Sequence, residues 1–152
     1  MQDQNCPKVV HGAKDFYHIS RFLKVELKGL IDDIEISSYL VNPGLRSYDL
    51  EDISIRVLGF SPGQSSDSSG QLSFDSDSNL EALGLRAEAI YLISKKISVK
   101  LEQQNLDKLF FDLELPLAKL LSEMEDAGIA VDLKKLNSLQ VEFENIANKY
   151  EK

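Results

Sequence analysis

Leu113, Leu117, Leu120, Leu121 and Met124 recur at spacings of three and four, so they line one face of a 3.6-residue period and predict an amphipathic helix. Pro116 fits the first turn of that helix, where its missing N–H is not needed. Gly128 suits the left-handed position that ends it, Ile129 and Val131 make a short extended link, and Asp132 suits the next N-cap. A final helix then carries Leu136, Leu139, Phe143, Ile146 and Tyr150 on one side. That apolar face is expected to need a partner that the remaining residues do not supply.

The first sixty residues carry shorter apolar groups. Lys8 to His11 predicts a strand, and Lys14 to Lys24 a helix whose inner side uses Phe16, Ile19, Phe22 and Leu23. Leu30 and Ile31 read as a second strand, after which Asp32 or Asp33 caps a helix holding Ile34, Ile36, Tyr39, Leu40 and Val41. Asn42-Pro43-Gly44 ends it. Leu50, Ile53, Ile55, Val57 and Leu58 fit a helix capped by Asp49 and closed by Gly59, while the alternation of Ile53, Ile55 and Val57 also fits a strand.

From Ser61 to Asn79 Ser, Gly and Asp dominate, and such a composition buries too little surface to offset its ordering entropy. A flexible loop at 61–79 is the expectation, with a plain mobile loop outweighing a phosphorylation site or a lid. Beyond it, Leu80, Leu83, Ala87, Ile90, Ile97 and Leu101 predict a long helix, with Ser94 at the missing position of the stripe. Packing against the following helices is favoured over a coiled-coil homodimer.

With 152 residues, 43% of them hydrophobic and 28% charged, the chain has the material for one ordinary core plus an attached element. Seventeen Lys and Arg against 25 Asp and Glu give a net charge of −8, which argues for weak or no autonomous DNA binding. Cys6 stands alone, so no internal disulfide or CxxC site forms, and a reducing cytoplasm is the expected compartment. No signal-like start and no run of about 18 apolar residues speaks for a membrane. His11 and His18, seven apart with no Cys nearby, read as surface or helix-end residues rather than zinc ligands. Lys95, Lys96 and Lys100 form a small basic patch that reads as a solvated face before a duplex-DNA contact. Gly12-Ala13-Lys14 lacks the repeated glycines of a phosphate loop.

Four blocks resemble one family in one order. Val25-Glu26-Leu27-Lys28-Gly29, Ser38-Tyr39-Leu40-Val41-Asn42-Pro43-Gly44 and the run from Tyr48 to Gly59 look like the later portion of the 3′–5′ exonuclease domain of bacterial family A DNA polymerases. The run from Glu114 to Asp132 resembles the entry into their polymerase domain. The resemblance implies an α/β, ribonuclease-H-like parent fold that is incomplete here, with this chain predominantly α-helical and carrying short strands. It divides the chain into residues 1–108, a partial exonuclease-like domain containing the loop, and 109–152, the first helices of the polymerase domain.

The family's exonuclease chemistry uses two divalent metals, hard ions that need clustered carboxylates to hold them while they activate water and stabilise the leaving oxygen. Its first motif, Asp-x-Glu on an early strand, is expected upstream of Met1. Counting back from Glu26-Leu27-Lys28-Gly29, the resemblance puts Phe16 at the second motif's aspartate, with Asp15 one residue, or about 100° of helix, away. Through Leu85-Arg86-Ala87-Glu88-Ala89, the third motif's tyrosine and aspartate become Leu85 and Ala89, with Glu88 and Tyr91 at other offsets. The resemblance thus implies a degenerate exonuclease-like domain with no catalytic or metal-binding residue of its own. The polymerase aspartates and nucleotide-binding residues follow Lys152 in family members.

The expected role is a structural fragment of a DNA-directed DNA polymerase, a nucleotidyltransferase of DNA replication and repair, needing no cofactor itself. The full-length parent would use Mg²⁺ or Mn²⁺, DNA and deoxynucleoside triphosphates, and the chain's partners would be the rest of that parent and a second copy of itself. Two other readings stand beside it: a residual metal-dependent exonuclease recruiting Asp15, Asp33 and Glu88, and an independent helical protein-interaction module using the stripe from Leu80 to Leu101 and the final helix.

Overall fold

The computed structural model describes residues 1–62 and 76–150. Strand β1 (Lys8–Val10), helix α1 (Ala13–Phe22) and strand β2 (Leu30–Asp33) form a strand–helix–strand unit whose strands run parallel, with Lys8 opposite Leu30 and Val10 opposite Asp33. An irregularity between Lys8 and Val9 shifts the pairing by one residue. Gly29 feeds β2 at a positive φ of 72°, and a Cβ there would lie 2.7 Å from the Cys6 carbonyl oxygen, so the N-terminal turn can close over this position only because it is glycine.

Helix α2 (Ile34–Val41) follows β2 without a loop, and Asp33 rather than Asp32 is its N-cap. Helix α3 (Leu50–Leu58) removes the strand alternative: Leu50 and Ile53 are buried while Ile55 is exposed, the outcome of a 3.6-residue period and not of alternation. Asp49 occupies its N-cap position but its carboxylate accepts from the Ser47 hydroxyl instead of a helix amide. Gly59 closes α3 at φ 87°.

The long helix α4 (Ser76–Gln103) begins within the stretch 61–79 expected to be loop; of that stretch, residues 63–75 lie outside the described residues. Its buried stripe is Ala89, Ile93, Ile97 and Leu101, a four-residue repeat, whereas Leu80, Leu83 and Ala87 are exposed. Length explains the difference. A helix of 28 residues is about 42 Å long, and the partners packed on it, α2 of eight residues and α3 of nine, are each about 12–14 Å. They cover only the later half, where Ile34, Val41, Leu50, Ile53, Ile93, Ile97 and Phe110 make the main core.

After α4 a short turn of helix, α5 (Asp107–Leu109), runs into a π-helical segment (Phe110–Glu114) and then helix α6 (Leu115–Ala127). Pro116 therefore lies in the first turn of α6 but inside a continuous helical rod. A proline there has no N–H to give and its ring crowds the carbonyl four residues back; the wider π turn just before it relieves both. Helix α7 (Leu133–Tyr150) starts as the sequence predicts, with Asp132 Oδ1 accepting from the Lys134 and Lys135 amides at 2.9 and 3.1 Å.

The faces of α1 and α6 differ from the expected ones. These two helices meet through small residues, Ala13 and Ser20 on one and Ala118 and Ser122 on the other, with Phe16 and Tyr17 half-buried at the edge. Ile19, Phe22 and Leu23 of α1, and Leu113, Leu120, Leu121 and Met124 around α6, point outward. A period search weights large apolar residues, but close helix approach favours small ones, and here the small stripe decides the contact.

Candidate functional site

Asp33 is the best-coordinated acidic residue among the described residues. Its Oδ1 accepts from the Gly12 and Glu35 amides at 3.0 Å and its Oδ2 from the Ala13 amide at 2.6 Å, so one carboxylate, 1% exposed, holds the N-termini of α1 and α2 together. Both oxygens are committed to the backbone. Asp15 and Glu35 flank Gly12, their oxygens 3.8 and 3.6 Å from where its Cβ would be. Burial pushes the Glu35 carboxyl up from the ordinary range, against the opposing influence of His11.

Of the three positions implied by the family motifs, two carry packing groups. Phe16 is half-buried against Val10, Ala13 and Ala118, Ala89 is 0% exposed on the core face of α4, and Leu85 is exposed on the uncovered half of that helix. Glu88 and Tyr91 face solvent. Asp15, Asp33 and Glu88 do not converge: among the described residues no three His, Cys, Asp or Glu side chains gather closely enough to hold a metal ion. Phe16 and Ala89 have no oxygen to offer one, so this donor set does not fit a two-metal centre.

Neither histidine is free. His11 Nε2 donates to the Tyr48 carbonyl at 2.9 Å. His18 lies between Asp126 and Glu125, each ring nitrogen 2.9 Å from a carboxylate oxygen, while Lys14 pairs with Glu125 at 2.8 Å and Arg21 with Asp126 and the Ser122 hydroxyl. Lys14, then His18, hold the Glu125 carboxyl below the usual range. The signal for this clamp was present as the spacing of Lys14, His18 and Arg21 along one face of α1, facing adjacent acids at the end of α6. In the basic patch, Lys95 sits over the Tyr91 ring at 5.4 Å and Lys96 donates to the Val57 carbonyl at 3.1 Å.

The clamp fixes α6 on α1 and leaves the larger apolar side chains of α6 outside. Leu120, Leu121 and Met124 of α6 are exposed, and α7 buries no residue at all. Among the described residues no helix is long and apolar enough to cross a membrane.

A mostly helical body with a short two-stranded parallel sheet agrees with the relationships found. No protein-family model matches the chain. It is 34% identical over 94% of its length to the DNA polymerase I of Mycobacterium bovis and 31% identical over 99% to that of Bacillus subtilis. A solved structure, the POL domain of Pol1 from M. smegmatis in complex with DNA primer-template and dNTP, superposes on 94% of the chain with a TM-score of 0.77 and 32% identity. The chain is a homologue of one segment of the bacterial DNA polymerase I proteins. The chain spans 16% of the M. bovis protein's length and 23% of the solved chain.

Proposed function

We propose that this chain is a structural segment of a DNA polymerase I in which a degenerate exonuclease-like part, residues 1–108, supports the first helices of the polymerase part, residues 109–152, and performs no chemistry of its own. The observation that carries the reading is the fate of two implied ligand positions: Phe16 and Ala89 are built into packing. The α1–α6 clamp gives the first part its mechanical use, because it crosses the proposed boundary and sets the direction in which α6 presents its leucine face. In the parent, that face would receive the polymerase body, which would extend a DNA primer with deoxynucleoside triphosphates and Mg²⁺ or Mn²⁺. Digestion of a labelled single-stranded DNA by the purified chain tests the inactive remnant. No metal-dependent hydrolysis above that of an Asp15→Ala, Glu88→Ala double variant is expected. Hydrolysis lost in that variant would instead establish the residual nuclease.

The interaction-module reading rests on the stripe from Leu80 to Leu101 and the final helix; Ile97 and Leu101 are buried in the core, so the exposed face of α7 is the observation that favours it, and the exposed leucines of α6 lie beside that reading. On its own the chain is expected to self-associate through that face. Scattering-derived mass should rise with protein concentration, and Leu121→Ser with Phe143→Ser should return it to the monomer with little change in unfolding midpoint, since both side chains are already exposed. A monomer mass for the unaltered chain at every concentration removes the expectation.

A further inference from the structure

Two helix faces of this chain match each other. Leu117, Leu120 and Met124 run along the outer side of α6 at spacings of three and four, and Leu136, Leu139, Phe143, Ile146 and Tyr150 run along α7 at the same spacings. Alternation of three and four is the seam of a two-helix coiled coil. Leu120 and Met124 are exposed, Leu117 is half-buried, and α7 buries no residue. Leu117 and Leu121 also form one wall of a groove of about 350 Å³, with Ile36, Tyr39 and Tyr48 on the other side. Charge sets the direction of pairing. Lys119 and, one heptad later, Asp126 flank the α6 stripe, while Lys135 and, one heptad later, Glu142 flank that of α7. Run antiparallel, with Met124 beside Leu139, Leu120 beside Phe143 and Leu117 beside Ile146, the two helices bring Lys119 to Glu142 and Asp126 to Lys135. In a parallel pair the same charges fall on opposite sides of the seam.

We propose that the outer face of α6 and the groove beside it receive α7 of a second copy of this chain, antiparallel and reciprocal, so that each copy gives one α7 and takes one. The inference rests on the self-association expected above and names the surface and the register that carry it. The exchange uses the link between the helices as it stands. Gly128, at φ 67° and ψ −176°, and Ile129, 91% exposed, lead into an α7 that leaves Met124 of its own α6 60% exposed. A reciprocal pair of such contacts closes with two-fold symmetry, the commonest arrangement of soluble oligomers.

Lys119→Glu and Glu142→Lys, both at exposed positions, test it through scattering-derived mass against concentration at low ionic strength. Either reversal alone sets like charges together at both contacts of the dimer and is expected to weaken dimerisation about threefold to tenfold. The double variant should regain the dissociation constant of the natural chain, and high salt should erase the differences. An equimolar mixture of the two single variants should also regain dimer mass, because an exchanged helix lets each variant's altered charge meet its opposite in the other. An α7 folded back on its own α6 would keep every like-charged pair inside one chain, and mixing would restore nothing. A dimer indifferent to both reversals overturns the register and leaves self-association standing. A mixture as weak as its components overturns the exchange. A monomer mass for the natural chain at every concentration removes self-association and this inference together.

Discussion

Replacing Phe110 with alanine is expected to lower the equilibrium stability of the chain by about 3–5 kcal/mol, read from urea unfolding at constant slope. Phe110 is 1% exposed and touches the core formed by α2, α3 and α4, although it belongs to the π segment that leads into α6. Its ring also lines a cavity beside Asp32. Truncation would merge a new void with that cavity instead of letting the walls close, which places the loss in the range for large aromatic deletions rather than below it. Phe111, the next residue, meets Phe110 edge to face with ring centroids 5.0 Å apart but is 54% exposed, so Phe111→Ala is expected to cost less than about 1.5 kcal/mol. Hydrogen exchange should show residues 107–114 opening first in Phe110→Ala. Similar losses for both variants would mean that the core does not tie the π segment down.

That contrast shows why element positions were legible in the sequence while the faces were not. Gly59, Gly128 and Asp132 announce their turns and caps through chemistry that acts within a few residues, and the structure uses them so. Which side of a helix is covered depends on what lies opposite. The leucines of α6 form the more regular stripe, yet Ala118 and Ser122 are buried because α1 offers Ala13 and Ser20 at close range. Ser94 looked like a gap in the α4 stripe; it is half-buried and borders the same cavity as the polar break in β2, Asp32, a pairing 62 residues apart that no local pattern reports. The candidate site divides the same way. The departures that the resemblance implies at Phe16, Leu85 and Ala89 come from counting along the chain, whereas the commitment of Asp33 to two helix ends required the fold.

Asp32 and Asp33 are neighbours in one strand, and their substitutions are expected to move stability in opposite directions. Asp33→Ala removes three charge-assisted bonds to backbone amides, leaves the starts of α1 and α2 without their shared acceptor, and should cost about 3–5 kcal/mol. Asp33→Asn should fall between, because its carbonyl oxygen still accepts while its amide group turns donors toward a donor. Asp32 is buried without a partner for Oδ1, and burial pushes its carboxyl up, with the Ser37 and Ser94 hydroxyls working the other way. A carboxyl raised in the folded state holds its proton longer there than in the unfolded chain, so its contribution falls as pH rises from the ordinary aspartate range through the raised folded value, and the deficit persists above it. Asp32→Asn keeps the shape and removes that titration. The variant should match or exceed the natural chain in stability at neutral pH, and the difference between the two should shrink as pH is lowered through that window. A difference that stays constant across the window, or a loss as large as that of Asp33→Ala, would show that the Asp32 carboxylate is stabilised by its surroundings.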